Sequence, residues 1–139
     1  MNSVEPLNSY ISLFSSGGIG DLGFHNEDFF CIASAELISR RIEVQRLNNI
    51  ADPSRLICGD LMLPGPFGEV ITLADEFEKE HRQPVTAIIA TPPCQGMSVA
   101  NHKKGDELGR NSLVVRSIEM VKHVRPLVFL FENVPAFMK

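Results

Sequence analysis

The sequence predicts an α/β domain: a parallel sheet with helices on both faces. Short apolar runs alternate with segments of helical periodicity along the chain, the order that parallel strands joined by crossover helices require. The runs are apolar without a break, as strands covered on both faces must be. In such sheets ligands bind beyond the carboxyl ends of the strands. The glycine turn at 17–23, Glu36, Asp60, the segment 91–94 and the pair Glu132 and Asn133 all fall at those ends.

Residues 10–14 (YISLF) form the first strand, and a glycine-rich turn follows at once. Residues 30–36 (FCIASAE) are the second strand, ending on an acid, and 37–49 are helical with only a fair apolar stripe. Residues 55–60 (RLICGD) are the third strand, again ending on an acid. In 67–81, Val70, Leu73, Ala74 and Phe77 recur at helical spacing. Residues 85–90 are the fourth strand. Residues 111–124 are a helix with Val114, Ile118, Val121 and Val124 on one face, stopped by Pro126. Residues 127–131 (LVFLF) are the fifth strand, apolar throughout. Residues 1–9 read as a tail and 10–139 as one partial domain, with no repeat, low-complexity tract or linker.

The net charge of −4 bounds the partners. A domain that grips nucleic acid by itself carries a basic face. If nucleic acid is the substrate here, much of the phosphate grip comes from elsewhere. No apolar run is long enough to span a membrane, and MNSVEPLNSY has neither the basic nor the apolar region of a signal peptide. Cys31, Cys58 and Cys94 are far apart, form no CxxC, and suggest neither a metal site nor a disulfide framework. A reducing, cytoplasmic setting is expected.

Gly18, Gly20 and Gly23 spell GxGxxG, with Glu36 ending the next strand. This is the dinucleotide fingerprint, in which glycines admit a ligand to the backbone and the acid takes ribose hydroxyls. It indicates an adenosine-type cofactor without saying which, and a strand-to-helix turn needing only small residues would look the same. Asp60 in CGDL is placed either to hold an adenine amino group or to sit solvated in a loop.

Cys31 and Cys58 lie within strand patterns and read as inert, buried small hydrophobes. Cys94 does not. Pro92 and Pro93 fix their φ angles near about −65° and donate no hydrogen bond, so they end the strand and hold the thiol at the rim. Only a few per cent of free cysteine is thiolate at neutral pH, so a nucleophilic role needs help from its surroundings. A lone glutamate at a strand end is ordinarily just solvated; Glu132 in FENVPAF follows a fully apolar strand, where partial burial is the alternative, and burial would raise its carboxyl pKa and suit it to hand over a proton.

Three motifs in this order, SLFSSGGIGDLGF (12–24), TPPCQGMS (91–98) and FENVPAF (131–137), resemble the cytosine-C5 DNA methyltransferases. The resemblance covers essentially the whole chain but only the first half or so of such an enzyme. It implies a Rossmann-like fold dependent on S-adenosyl-L-methionine. Phe14, Gly18 and Gly20 would cradle that cofactor, Glu36 would hold its ribose and Asp60 its adenine. Ser15, Ile19, Leu37, Leu61 and Pro92 would complete the site. Cys94 would attack C6 of a cytosine flipped out of double-stranded DNA, because the target carbon is inaccessible inside the stack. Glu132 would bond the N3 edge and Asn133 would help position the site. C5 would then take the methyl group, and a base not identifiable here would remove the C5 proton and release Cys94. Residues 95–110 would close over DNA, with His102, Lys103, Lys104 and Arg110 at phosphates; an ordinary charged surface loop would look the same.

Ser16 departs from the resemblance, standing where the family's turn often has glycine; a serine is tolerated there if its φ is negative. The family's later arginine motif, target recognition domain and C-terminal cofactor-binding helix are not in this sequence. The resemblance implies strand order 3-2-1-4-5, continued by two further strands. Without those strands 127–131 becomes an exposed apolar edge that invites pairing. A complementing chain or self-association is therefore expected, in a prokaryotic or phage restriction-modification setting. A non-catalytic S-adenosylmethionine-binding or assembly subunit and an RNA-cytosine methyltransferase are the competing readings. A nicotinamide oxidoreductase leaves TPPCQ and FENV unexplained.

Overall fold

The computed structural model describes residues 7–93 and 107–133, the backbone alone for 107–111. The elements are β1 (Ser9–Leu13), α1 (Ile19–Asn26), β2 (Phe30–Glu36), α2 (Ser39–Leu47), β3 (Leu56–Cys58), α3 (Pro64–His81), β4 (Ala87–Ala90), α4 (Glu107–Val124) and β5 (Val128–Phe131). All strand pairs are parallel, and the order is β3-β2-β1-β4-β5, as expected. The order reverses between β1 and β4, which is where a ligand crevice opens in such sheets.

Alternation along β1 splits the packing between two faces. Ile11 and Leu13 join the main core with Val70, Ala74 and Phe77 of α3 and Met120 and Val124 of α4. Tyr10 joins a smaller cluster with Cys31 and Ala87, against which Phe24 of α1 packs. The Tyr10 and Phe24 rings stack 4.7 Å apart.

Several elements differ from the sequence reading. The glycine turn is short and gives way to α1, which contains Gly20 and Gly23. Each glycine costs a helix about 1 kcal/mol relative to alanine; Phe24, partly buried against Tyr10, anchors the helix to the sheet. β3 is only three residues long, because Pro53–Arg55 form a 3-10 turn capped by the Asp52 side chain on Ser54 N at 2.9 Å. Cys58, expected to be buried, is exposed; it closes this short strand at the rim. α3 starts at Pro64, since proline is tolerated in a first helical turn. On α4 the buried positions include Ser117, Met120 and Val124, whereas Ile118 is exposed. Ser117 can be buried because its hydroxyl donates to Leu113 O at 2.8 Å.

Two features stand apart from ordinary core packing. Helix α2 buries a glutamine, Gln45, while its Val44 and Leu47 are exposed. At the other end of the sheet, Leu127, Val128, Phe129 and Leu130 are each more than half exposed, which is the apolar edge the sequence foretells.

Candidate active site

Two adjoining cavities lie beyond the carboxyl ends of the strands. The first, of about 470 Å³, runs from Phe14 and Ser16 after β1, past Glu36 and Leu37 after β2 and Gly59, Asp60 and Leu61 after β3, to Thr91, Pro93 and Glu132. The second, of about 290 Å³, shares Ser16, Thr91 and Glu132 with it and adds Ser15, Ile19, Gly20 and Asp21. Together they have the size usual for small-ligand sites.

The turn between β1 and α1 is held in an unusual conformation. Phe14, Ser16 and Gly18 have φ of 59°, 52° and 81°. The condition under which serine is easily tolerated at position 16, a negative φ, is not met: this serine is left-handed, a conformation that costs a non-glycine residue about 1–2 kcal/mol. Hydrogen bonds hold the turn. Ser16 N donates to Glu36 Oε2 at 2.9 Å, Thr91 Oγ1 donates to Phe14 O at 2.9 Å, and Ser15 N donates to Ala35 O at 3.1 Å. Gly18 is required for two reasons: its φ is positive, and a Cβ would lie 3.0 Å from both Gln45 Cγ and Ile50 Cγ1. It supports the turn from below and lines neither cavity. The N-cap of α1, Gly18, offers no side-chain cap, and the positive end of the helix dipole faces the second cavity, which Ile19, Gly20 and Asp21 of its first turn line.

Glu36 is 5% exposed. Besides Ser16 N, its carboxylate accepts from Ile38 N at 3.0 Å and Arg41 Nη1 at 3.3 Å. Asp60 Oδ1 accepts from Met62 N at 2.9 Å, which fixes the acid at the far end of the first cavity. Gly59 beside it has no room for a side chain, since a Cβ would lie 2.5 Å from Pro66 Cγ. Arg116 ties α4 to this loop: its Nε donates to Leu61 O at 2.8 Å, and its guanidinium sits 3.5 Å over the Phe67 ring. No sequence pattern marked Arg41 or Arg116. Gly59 was not singled out either; a glycine directly before the rim acid in CGDL is the signal that could have found it.

A family model described as C-5 cytosine-specific DNA methylase matches residues 8–139. The chain belongs to the C-5 cytosine-specific DNA methylase family. It is 33% identical to the Type II methyltransferase M1.HgaI of Avibacterium volantium, over 93% of this chain and 35% of that protein. It is 30% identical to the Type II methyltransferase M.AquIA of Picosynechococcus, over 89% of this chain and 47% of that protein. Among solved structures it resembles a protein described as a prophage-encoded DNA modification methyltransferase from E. coli, with a TM-score of 0.64 and 29% identity, over 95% of this chain and 33% of that one. The chain thus spans about a third to a half of the length of these relatives.

In this C-5 cytosine methylase chain, Phe14, Ser15, Ile19, Gly20, Glu36, Leu37, Asp60 and Leu61, named from the sequence as candidate cofactor contacts, line one or other of the two cavities. Pro92 is buried and its neighbour Pro93 lines the first cavity instead. Asn133 lines neither. Glu132 borders both cavities and is exposed, the solvated one of the two readings its place after an apolar strand allows, and the outer residues of β5 before it are exposed as well. Its backbone N donates to Ala90 O at 3.0 Å, continuing the β4–β5 ladder. Cys94 and the segment 95–106 lie outside the described residues. Of the other thiols, burial pushes that of Cys31 up to about 12, so it stays protonated and inert.

Among the described residues, Asp21 is the one buried acid at the site that the sequence did not single out. It is 1% exposed and accepts from Ser12 Oγ at 3.1 Å through Oδ2, while Oδ1 has no partner among the described residues. Burial pushes its pKa up, so the folded state favours the neutral acid. The resulting penalty is absent below the pKa of an unfolded aspartate, near about 4, and grows as pH rises from there through the folded pKa. Asp21→Asn is expected to stabilise the protein at neutral pH, with the gain vanishing below about pH 4. Thermal unfolding measured against pH checks this, and a gain that grew on acidification would contradict it.

Among the described residues no helix is long and apolar enough to cross a membrane.

Proposed function

We propose that residues 10–139 are the cofactor-binding and nucleophile-bearing part of an enzyme that methylates C5 of cytosine in DNA. The observation that carries this reading is the pair of adjoining cavities with Glu132 on their shared border. S-adenosyl-L-methionine, when bound, supplies a methyl group on a sulfonium.

The residues present fit that molecule. Glu36 would accept from ribose hydroxyls, and Asp60 would accept from an adenine amino group against Leu37 and Leu61. The open N-terminus of α1 favours a carboxylate in the second cavity. Cys94, two residues beyond Pro92, would add through its thiolate to C6 of a flipped cytosine. Glu132 would stabilise N3 as C5 becomes nucleophilic. Once C5 carries the methyl group, a base would take its proton, and the electron pair of that C–H bond would expel Cys94.

The exposed apolar strand β5 supports a complementing chain or segment that covers this edge and supplies target recognition. Soluble proteins rarely leave contiguous apolar patches uncovered. The acidic balance of the chain agrees, since a DNA grip would then come from that complement. We infer a cytoplasmic, prokaryotic or phage setting from the kinds of relatives.

The test uses the protein with its complement present and labelled S-adenosylmethionine as methyl donor. Label on C5 of cytosine in duplex DNA is expected. Label on RNA alone would make it an RNA-cytosine methyltransferase, and cofactor binding with no transfer would make it a non-catalytic subunit.

A further inference from the structure

The left-handed serine of the turn needs something to hold it, and a buried polar side chain on α2 does so. Gln45 is fully buried, at 0% exposure, on a helix with no buried apolar residue among those described. Its amide makes three hydrogen bonds: Oε1 accepts from Ser34 Oγ at 2.7 Å, and Nε2 donates to Ser15 Oγ at 2.8 Å and to Ser16 O at 2.7 Å. The amide orientation follows from chemistry. Ser16 O can only accept, so the amide nitrogen must face it. That assignment fixes the remaining protons: Ser34 donates to Gln45, and Ser15, having accepted from Gln45, donates to Ala35 O at 3.2 Å.

Ser16 is therefore gripped on both sides. Glu36 takes its N–H and Gln45 takes its C=O. Gln45 also packs beneath Gly18, where its Cγ limits the space to that of a glycine. An apolar side chain at position 45 would fill the same volume while leaving the Ser15 hydroxyl and the Ser16 carbonyl without these bonds.

We propose that Gln45 is a positioning residue for the cofactor site: it compensates for serine at position 16 by holding that residue left-handed, and thereby aims Glu36 and the turn at the ligand. This inference rests on the cofactor reading above. It predicts an energetic coupling between positions 45 and 16. Glycine adopts a positive φ without steric cost, so a turn carrying Ser16→Gly no longer depends on the clamp.

The experiment is a double-mutant cycle of Gln45→Met and Ser16→Gly in the complete protein, read by calorimetric titration with S-adenosylmethionine and by amide hydrogen exchange at positions 16 and 18. Methionine keeps the length of glutamine without its amide. Gln45→Met is expected to weaken cofactor binding about tenfold and to speed exchange of both amides. Ser16→Gly is the reference for the second arm: the double variant should recover to within about threefold of Ser16→Gly itself, so that losing the Gln45 amide costs little once position 16 is glycine. Unchanged exchange and affinity in Gln45→Met, or no recovery in the double variant, would overturn the clamp. If Gln45→Met fails to fold, recovery of folding in the double variant supports the same coupling and its absence overturns it. Should the unsubstituted protein fold and bind no S-adenosylmethionine, the cofactor reading fails, and the exchange rates alone still decide whether Gln45 holds Ser16.

Discussion

Replacing Cys94 with alanine is expected to abolish methyl transfer while leaving S-adenosylmethionine affinity within about threefold. Loss of a covalent nucleophile costs on the order of 10⁴-fold or more in turnover. Cofactor binding should be spared because the described residues around both cavities come from the ends of β1, β2, β3 and β4, from α1, α2 and α4, and from Glu132, and these suffice for the proposed contacts. The cofactor contacts proposed for Glu36, Asp60 and the turn do not involve the thiol. Cys31 cannot substitute, since it is buried with its thiol held protonated. Cys58 lies at the end of β3, on the far side of β2 and β1 from β4, which leads to Cys94. Labelled methyl transfer and calorimetry on the same preparation check both halves. A denaturation-resistant adduct with 5-fluorocytosine DNA should form with the unsubstituted protein and not with the alanine variant. Turnover retained in Cys94→Ala would remove this residue from the chemistry, and lost cofactor binding would make its role structural.

The strand ends were legible because apolar runs and punctuating acids are local patterns. Glu36 and Asp60 could be placed at the rim from their positions alone. Three features were not legible, each for a physical reason. The sign of the φ angle at Ser16 depends on hydrogen bonds to Glu36 and Gln45, 20 and 29 residues away. Gln45 itself is invisible to a search for apolar periodicity, because it is a polar residue that is buried only when Ser15, Ser16 and Ser34 surround it. Which of its two readings holds for Glu132 was not decided by the sequence, since an apolar strand does not fix the burial of the acid after it. On α4 the apolar stripe holds at Val121 and Val124, which pack on the core, and fails at Ile118. Met120 and Ser117 point into the core while Ile118 does not, and a hydropathy stripe favours the β-branched residue.

Glu132→Gln is expected to slow methyl transfer by about 10²- to 10³-fold, the range typical of removing one group that stabilises transition-state charge. Glutamine keeps the size of the side chain and can still meet the N3 edge with a neutral hydrogen bond. It lacks the carboxylate charge and cannot hand a proton to the ring. The backbone should not move, because Glu132 N is bound to Ala90 O at the end of the β4–β5 ladder. The loss should therefore fall on kcat, with cofactor affinity changed by less than about threefold, since an interaction made mainly in the transition state lowers kcat rather than ground-state binding. Single-turnover transfer from labelled S-adenosylmethionine to duplex DNA separates the two. A rate equal to that of the unsubstituted protein would mean that Glu132 borders the cavities without touching the reacting base. A loss confined to cofactor affinity would place the carboxylate on the cofactor instead, which its position on the border of both cavities also permits.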